Sequence, residues 1–195
     1  FYAYAGAGAL SSGGNIVLNS GSSGTAYSGK IEIVSGSSKD IGRSGSVLIE
    51  TGASKSGSTG SIQALTGSSV EGQSGGILLA AGSSDIGVGG DVILNGGSSK
   101  LNTGGSLSLS SGGSSLGVSG TLTVETPGNE NNAGSGSIAI ASGNSVSTVQ
   151  GSGSILFSNG KSVEGSGGGI VFRGGSSSMG IGGSISLVGG SSNER

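Results

Sequence analysis

The sequence predicts an all-β chain, a parallel β-solenoid (β-helix) of about twelve short coils, and three observations predict it. A unit of about fifteen residues recurs along nearly the whole length. Within each unit branched or long apolar residues stand two apart, the spacing of a strand with one buried face. Fifteen residues are also too few for a strand, a crossover helix and a second strand, and no helical periodicity is present.

The unit reads Gly-x-[Ile/Val/Leu]-x-[Ile/Leu/Val/Phe]-x-small-Gly-Ser-Ser, followed by a looser glycine-containing stretch. Its leading glycines are Gly14, Gly29, Gly45, Gly60, Gly75, Gly90, Gly105, Gly120, Gly136, Gly153, Gly168 and Gly183, twelve copies fifteen to seventeen residues apart. Two residues on stands the first inward column: Ile16, Ile31, Val47, Ile62, Ile77, Val92, Leu107, Leu122, Ile138, Ile155, Ile170 and Ile185. Two further on stands the second, which runs from Leu18 to Leu187 and includes Ala64, Phe157 and Phe172. A third position is small, as in Ser20, Thr51, Ala81 and Gly96, and suits a strand bending toward a corner.

At the corner a glycine recurs seven residues after the leading one, from Gly21 to Gly190, with Pro127 as the one replacement. Its expected role is to tolerate positive φ. Two residues later a serine recurs, from Ser23 to Ser192, with Asn129 as the one departure. Stacked coils would make it a hydroxyl ladder bonding upward and downward. Ile86, Leu101, Leu116 and Met179 share a later offset, and Val88, Val118, Val149 and Ile181 another, which predicts a second, weaker strand. The coils are then expected to stack in parallel about 4.8 Å apart. The organisation is a segment 1–12, which caps the array or docks on another subunit, a repeat domain 13–192 and a tail 193–195. The polar excursion Glu125 to Asn132 reads as a tolerated loop insertion.

Composition narrows the function. Among 195 residues there are 47 glycines, no cysteine and no histidine, so disulfide, thiolate-zinc and imidazole acid–base chemistry are excluded. Net charge is −2, and without a Lys/Arg cluster neither nucleic acid nor an anionic membrane is an expected partner. No run of about twenty apolar residues predicts membrane insertion, and the opening residues lack the basic start of a secretory signal.

Glycine motifs arise by chance in such a chain. Gly160-Lys161-Ser162 imitates a phosphate loop, but Ile155 stands where its first glycine is required. Asp91 in Gly87–Val92 is a single aspartate, whereas calcium-binding repeats need one in every coil. Carboxylate pairs of the glycoside-cleaving kind require a cleft that coils this short do not build. Serine nucleophiles would lack their usual base. The expectation is no enzyme, no cofactor and no metal.

The outer face carries the functional expectation. The column between the inward ones reads Val17, Glu32, Leu48, Gln63, Leu78, Ile93, Ser108, Thr123, Ala139, Leu156, Val171 and Ser186, about half apolar. On an isolated rod this would be a long exposed patch; lateral packing against another rod is the favoured cover, and a second layer of the same chain is the alternative. The last unit, Gly183 to Ser192, is as regular as the rest and predicts an open end, while Phe1, Tyr2 and Tyr4 hold half the aromatics at the other. The expected assembly interface is therefore Phe1, Tyr2, Tyr4, Val17, Leu48, Leu78, Ile93, Leu156, Val171, Ile185 and Leu187.

The unit Gly-Ser-[Ile/Val/Leu]-x-[Leu/Ile/Val]-x-x-Gly-Ser-Ser, over residues 13–192, resembles Gly/Ser-rich surface repeats of microalgae and water moulds. More loosely it is similar to bacterial β-solenoid adhesins. The resemblance implies an extracellular or cell-surface wall, fibre or adhesion component whose main partner is itself. Two alternatives are an ice-binding face, for which Thr121-Leu122-Thr123 is the one Thr-x-Thr array, and a rod binding surface glycans. No Asn-x-Ser/Thr sequon is present, while the serine-rich corners permit O-linked sugar.

Overall fold

The computed structural model describes residues 2–8, 12–39, 42–128, 134–147 and 151–190. Among them there is no helix and no strand, and this overturns the predicted all-β solenoid. The fold is coil built from a repeated local motif. A parallel ladder needs backbone bonds between residues one whole unit apart. The seven backbone–backbone bonds found among the described residues span eight or nine residues instead, and each closes a loop within the chain.

The physical reason lies in what each unit offers. Fifteen residues of backbone, rich in glycine, the residue that loses most freedom on ordering, are matched by only two inward apolar side chains. Glycine inside a strand also brings no side chain to pack on its neighbours. The result is open. The chain of 18.1 kDa leaves 19752 Å² accessible, where a folded globular monomer of that mass leaves about 8,000 Å². No described residue is buried, and Ser35, Thr126 and Gly174 alone are half-buried.

The chain forms two compact units, Phe1–Asn95 and Gly96–Arg195. In the first, the amides of Gly14, Gly29, Gly45 and Gly90 donate to the carbonyls of Gly6, Gly21, Gly36 and Gly82 at 2.8, 2.8, 3.2 and 2.9 Å. In the second, Gly105, Gly120 and Gly183 donate to Gly97, Gly112 and Gly175 at 2.7, 2.8 and 2.8 Å. Each bond runs from a leading glycine back to the corner glycine before it and makes a neck. The chain thus alternates an extended segment with a neck-closed loop. Gly6 and Gly14 make the same neck as the pairs that follow, with Ala5 in the small-residue position.

The neck explains two columns of the repeat. A β-carbon added to Gly29, Gly45 or Gly90 would lie 3.2 Å from the β-carbon of Ser20, Ser35 or Ala81, the small residue of the preceding unit. At Gly105 it would lie 3.1 Å from the Gly97 nitrogen. At these necks the leading position is tight for a side chain, and the small position faces it. The three half-buried residues all occupy that small position.

The seven neck bonds all follow a small residue that is Ala, Ser or Gly, although Ser142 before Gly153 has no such bond. Thr51 and Thr66 instead direct Cγ2 to 3.7 Å from where the β-carbons of Gly60 and Gly75 would stand, and those necks lack the bond. Elsewhere the side chain itself closes the gap. The Thr126 hydroxyl donates to the Gly136 carbonyl at 3.1 Å, and Asn159 Nδ2 donates to the Gly168 carbonyl at 2.9 Å. Ser20 adds a hydroxyl bond to the Gly29 carbonyl at 2.9 Å beside its backbone neck.

Inside each loop the recurring serine makes a bend rather than a ladder. The Oγ atoms of Ser54, Ser69, Ser84, Ser114, Ser162 and Ser177 accept from the amides of Gly57, Gly72, Gly87, Gly117, Gly165 and Gly180, three residues on, at 2.8–3.0 Å. Ser99 does the same with the Asn102 amide at 3.0 Å, and Ser23 with that of Ala26 at 2.9 Å. A serine hydroxyl that turns its own backbone is satisfied locally and needs no neighbouring coil.

The predicted second strand is corrected by the same bends. Ile86, Leu101, Leu116 and Met179 are their middle residues, and with Val88, Val118 and Ile181 they are 94–104% exposed. Val149 lies outside the described residues. The expected role of the corner glycine also fails. No described glycine has φ in the left-handed region, and nothing lies within 4 Å of where the β-carbon of Gly21, Gly82 or Gly175 would be.

Candidate assembly surface

Within the extended segments the side chains alternate. Lys30 Nζ pairs with Glu32 Oε2 at 2.8 Å, and Gln63 Nε2 donates to Ser61 Oγ at 3.3 Å, so residues one and three places after the leading glycine share a side. The ion pair is exposed and contributes little. Residues two and four places on share the other side. The first inward column is the least exposed apolar set, at 46–59%, while the apolar members of the outward column are at 71–88%.

The surface is therefore two-sided. The inward columns, expected to be covered by stacked coils, stand half in water in every unit. In the second inward column the rings of Phe157 and Phe172, fifteen residues apart, meet edge to face at 6.4 Å and 83°. Equivalent side chains of consecutive units can thus touch even without backbone bonds between them.

Of the residues expected at the assembly interface, Phe1 lies outside the described residues. Tyr2 and Tyr4 are exposed and stacked on one another, their ring centroids 6.1 Å apart and their planes 10° apart. Val17, Leu48, Leu78, Ile93, Leu156 and Val171 are all exposed on the outward side. Ile185 and Leu187 belong to the inward columns and are exposed as well. Apart from Ile185 and Leu187, the inward columns were assigned to the core by sequence, and they stand exposed as well. The signal was present: every unit carries a branched aliphatic in the first inward column, whereas the outward one is interrupted by Glu32, Gln63, Ser108, Thr123 and Ser186.

Among the described residues there is no cavity and no group of three or more acidic side chains placed to hold a metal ion. Asp91 stands in the extended segment without such a group, and Ser162 of the phosphate-loop imitation is occupied as the acceptor of its own bend. No helix among the described residues is long and apolar enough to cross a membrane. Comparison with family models, with curated proteins and with solved structures returns no match.

Proposed function

We propose that the chain is a structural subunit of an extracellular filament or surface matrix, in which copies associate end to end, side by side, or both. One observation carries the reading: no apolar side chain among the described residues is buried, although branched aliphatics recur in every unit. Apolar surface on this scale is unfavourable in water and is removed by association. The composition points the same way. Mean hydropathy of +0.13 and 9% charged residues do not match a chain kept dispersed by its charge.

On this reading the protein is not an enzyme and carries no cofactor. Its partner is itself, and the repeated loops, most of them closed at a neck, give successive units a similar geometry to present. The extracellular location rests on the resemblance of the Gly-Ser-Ser unit to surface repeats. The stacked pair Tyr2–Tyr4 favours one second reading, a surface protein that binds glycans, since exposed aromatic rings are platforms for sugars.

Negative-stain electron microscopy of the purified protein in dilute buffer separates the two. Long filaments or sheets are expected. Dispersed single particles at every concentration would contradict the structural reading and turn attention to the tyrosine pair.

A further inference from the structure

We infer that copies of this chain associate through the inward columns, and that the outward stripe predicted from the sequence is not the face that joins them. The inference rests on the proposal that the chain assembles, and it names the partner as a second copy and the contact as one side of the extended segments.

Four observations lead there. The first inward column is a branched aliphatic in all twelve units and the second is apolar in all twelve. The outward column has no more than three apolar members in succession, Ala139, Leu156 and Val171, before a polar residue interrupts it. A partner docking along several units would therefore meet an unbroken apolar stripe on one side only. On the other it would leave Glu32 or Gln63 to be desolvated without a matching group, which is costly.

The available area is sufficient. Each compact unit holds six members of each inward column, and the first column keeps about half of its surface exposed. At roughly 50–70 Å² of removable apolar surface for each side chain, one unit offers about 600–800 Å², close to one partner's share of a stable complex.

The period identifies the occupant. Apolar teeth repeat every fifteen residues, and this chain itself supplies a surface of the same pitch. The contact of Phe157 with Phe172 shows that side chains one unit apart come close enough to act as one stripe. A partner of matching pitch can also slip by a whole unit and still fit, so each pair leaves part of its stripe open. Such a contact does not close on itself and extends into a fibre.

The corner glycines fit the same account. They recur in eleven of twelve units, yet neither φ nor neighbouring atoms require glycine at Gly21, Gly82 or Gly175 in the single chain. A second backbone passing close to the corner would require it.

Adjacent residues of the first unit make a matched test. One double variant, Ile77→Ser with Val92→Ser, changes the inward column. The other, Leu78→Ser with Ile93→Ser, changes the outward column in the same two repeats by a comparable loss of apolar surface. No described side chain is buried, so neither variant empties a core. Sedimentation velocity over a concentration series reads the concentration at which assembly begins. The inward variant is expected to raise it at least tenfold and the outward variant to leave it within about twofold. An outward variant that shifts assembly as much as the inward one, or more, would overturn the assignment of the face while leaving self-assembly intact. Wild-type protein that stays monomeric throughout would overturn both.

Discussion

The amide of Gly105 donates to the carbonyl of Gly97 across 2.7 Å, and a β-carbon on Gly105 would stand 3.1 Å from the Gly97 nitrogen. The leading glycine is therefore fixed by a close backbone approach.

Gly105→Ala should open this neck. The bond is exposed and worth about 1 kcal/mol, so its loss should speed exchange of the residue 105 amide about fivefold, measured by hydrogen exchange with NMR detection. An unchanged rate would show that the neck is not closed in solution.

The corner position should respond differently. Gly82→Ala places its methyl where nothing lies within 4 Å, so the dilute chain should keep its chemical shifts outside residues 81–90. Assembly, followed by light scattering, should be slowed. If the variant assembled at the wild-type rate, no partner approaches the corner.

Thr51→Ser tests the rule for the small position. Removing Cγ2, which lies 3.7 Å from where a β-carbon on Gly60 would stand, should let the Gly60 amide reach the Gly52 carbonyl as its counterparts do. Its amide should become several-fold slower to exchange. A Gly60 amide that exchanged as fast as before would refute the steric explanation.

How much of this was legible in the sequence follows from which residues act locally. The unit, its register and the alternation in the extended segments were readable, because Ile77 and Leu78 or Lys30 and Glu32 show their side by position alone. The neck was only half visible: the column Ser20 to Gly189 was known to be small, but that it faces the next leading glycine needed coordinates. The serine was misread because a hydroxyl spaced fifteen residues apart suits a ladder as well as a bend, and Ser84 chooses the Gly87 amide, three residues away. The largest error, a cored β-solenoid, came from treating periodicity as proof of burial. Ile16 and Ile185 have the right spacing for a core, yet among the described residues both stand half exposed. The candidate surface was read under the same assumption, so that of the inward columns only Ile185 and Leu187 entered it.

The serine bends give a further test. In Ser84→Ala the Gly87 amide loses its acceptor at 2.9 Å, and local exchange should rise by a factor of a few. The loops of Ser69 and Ser99 should be unaffected. Perturbation spreading to both neighbours would restore the hydroxyl ladder.

Among the described residues the single chain buries no apolar side chain, and in the proposed assembly other copies cover its apolar columns. Scanning calorimetry at two protein concentrations a hundredfold apart tests this most directly. No cooperative transition is expected in the dilute sample. In the concentrated one a transition is expected whose midpoint rises with concentration, because association supplies the stability. A cooperative transition of equal midpoint at both concentrations would contradict this reading, for the chain would then carry a core of its own.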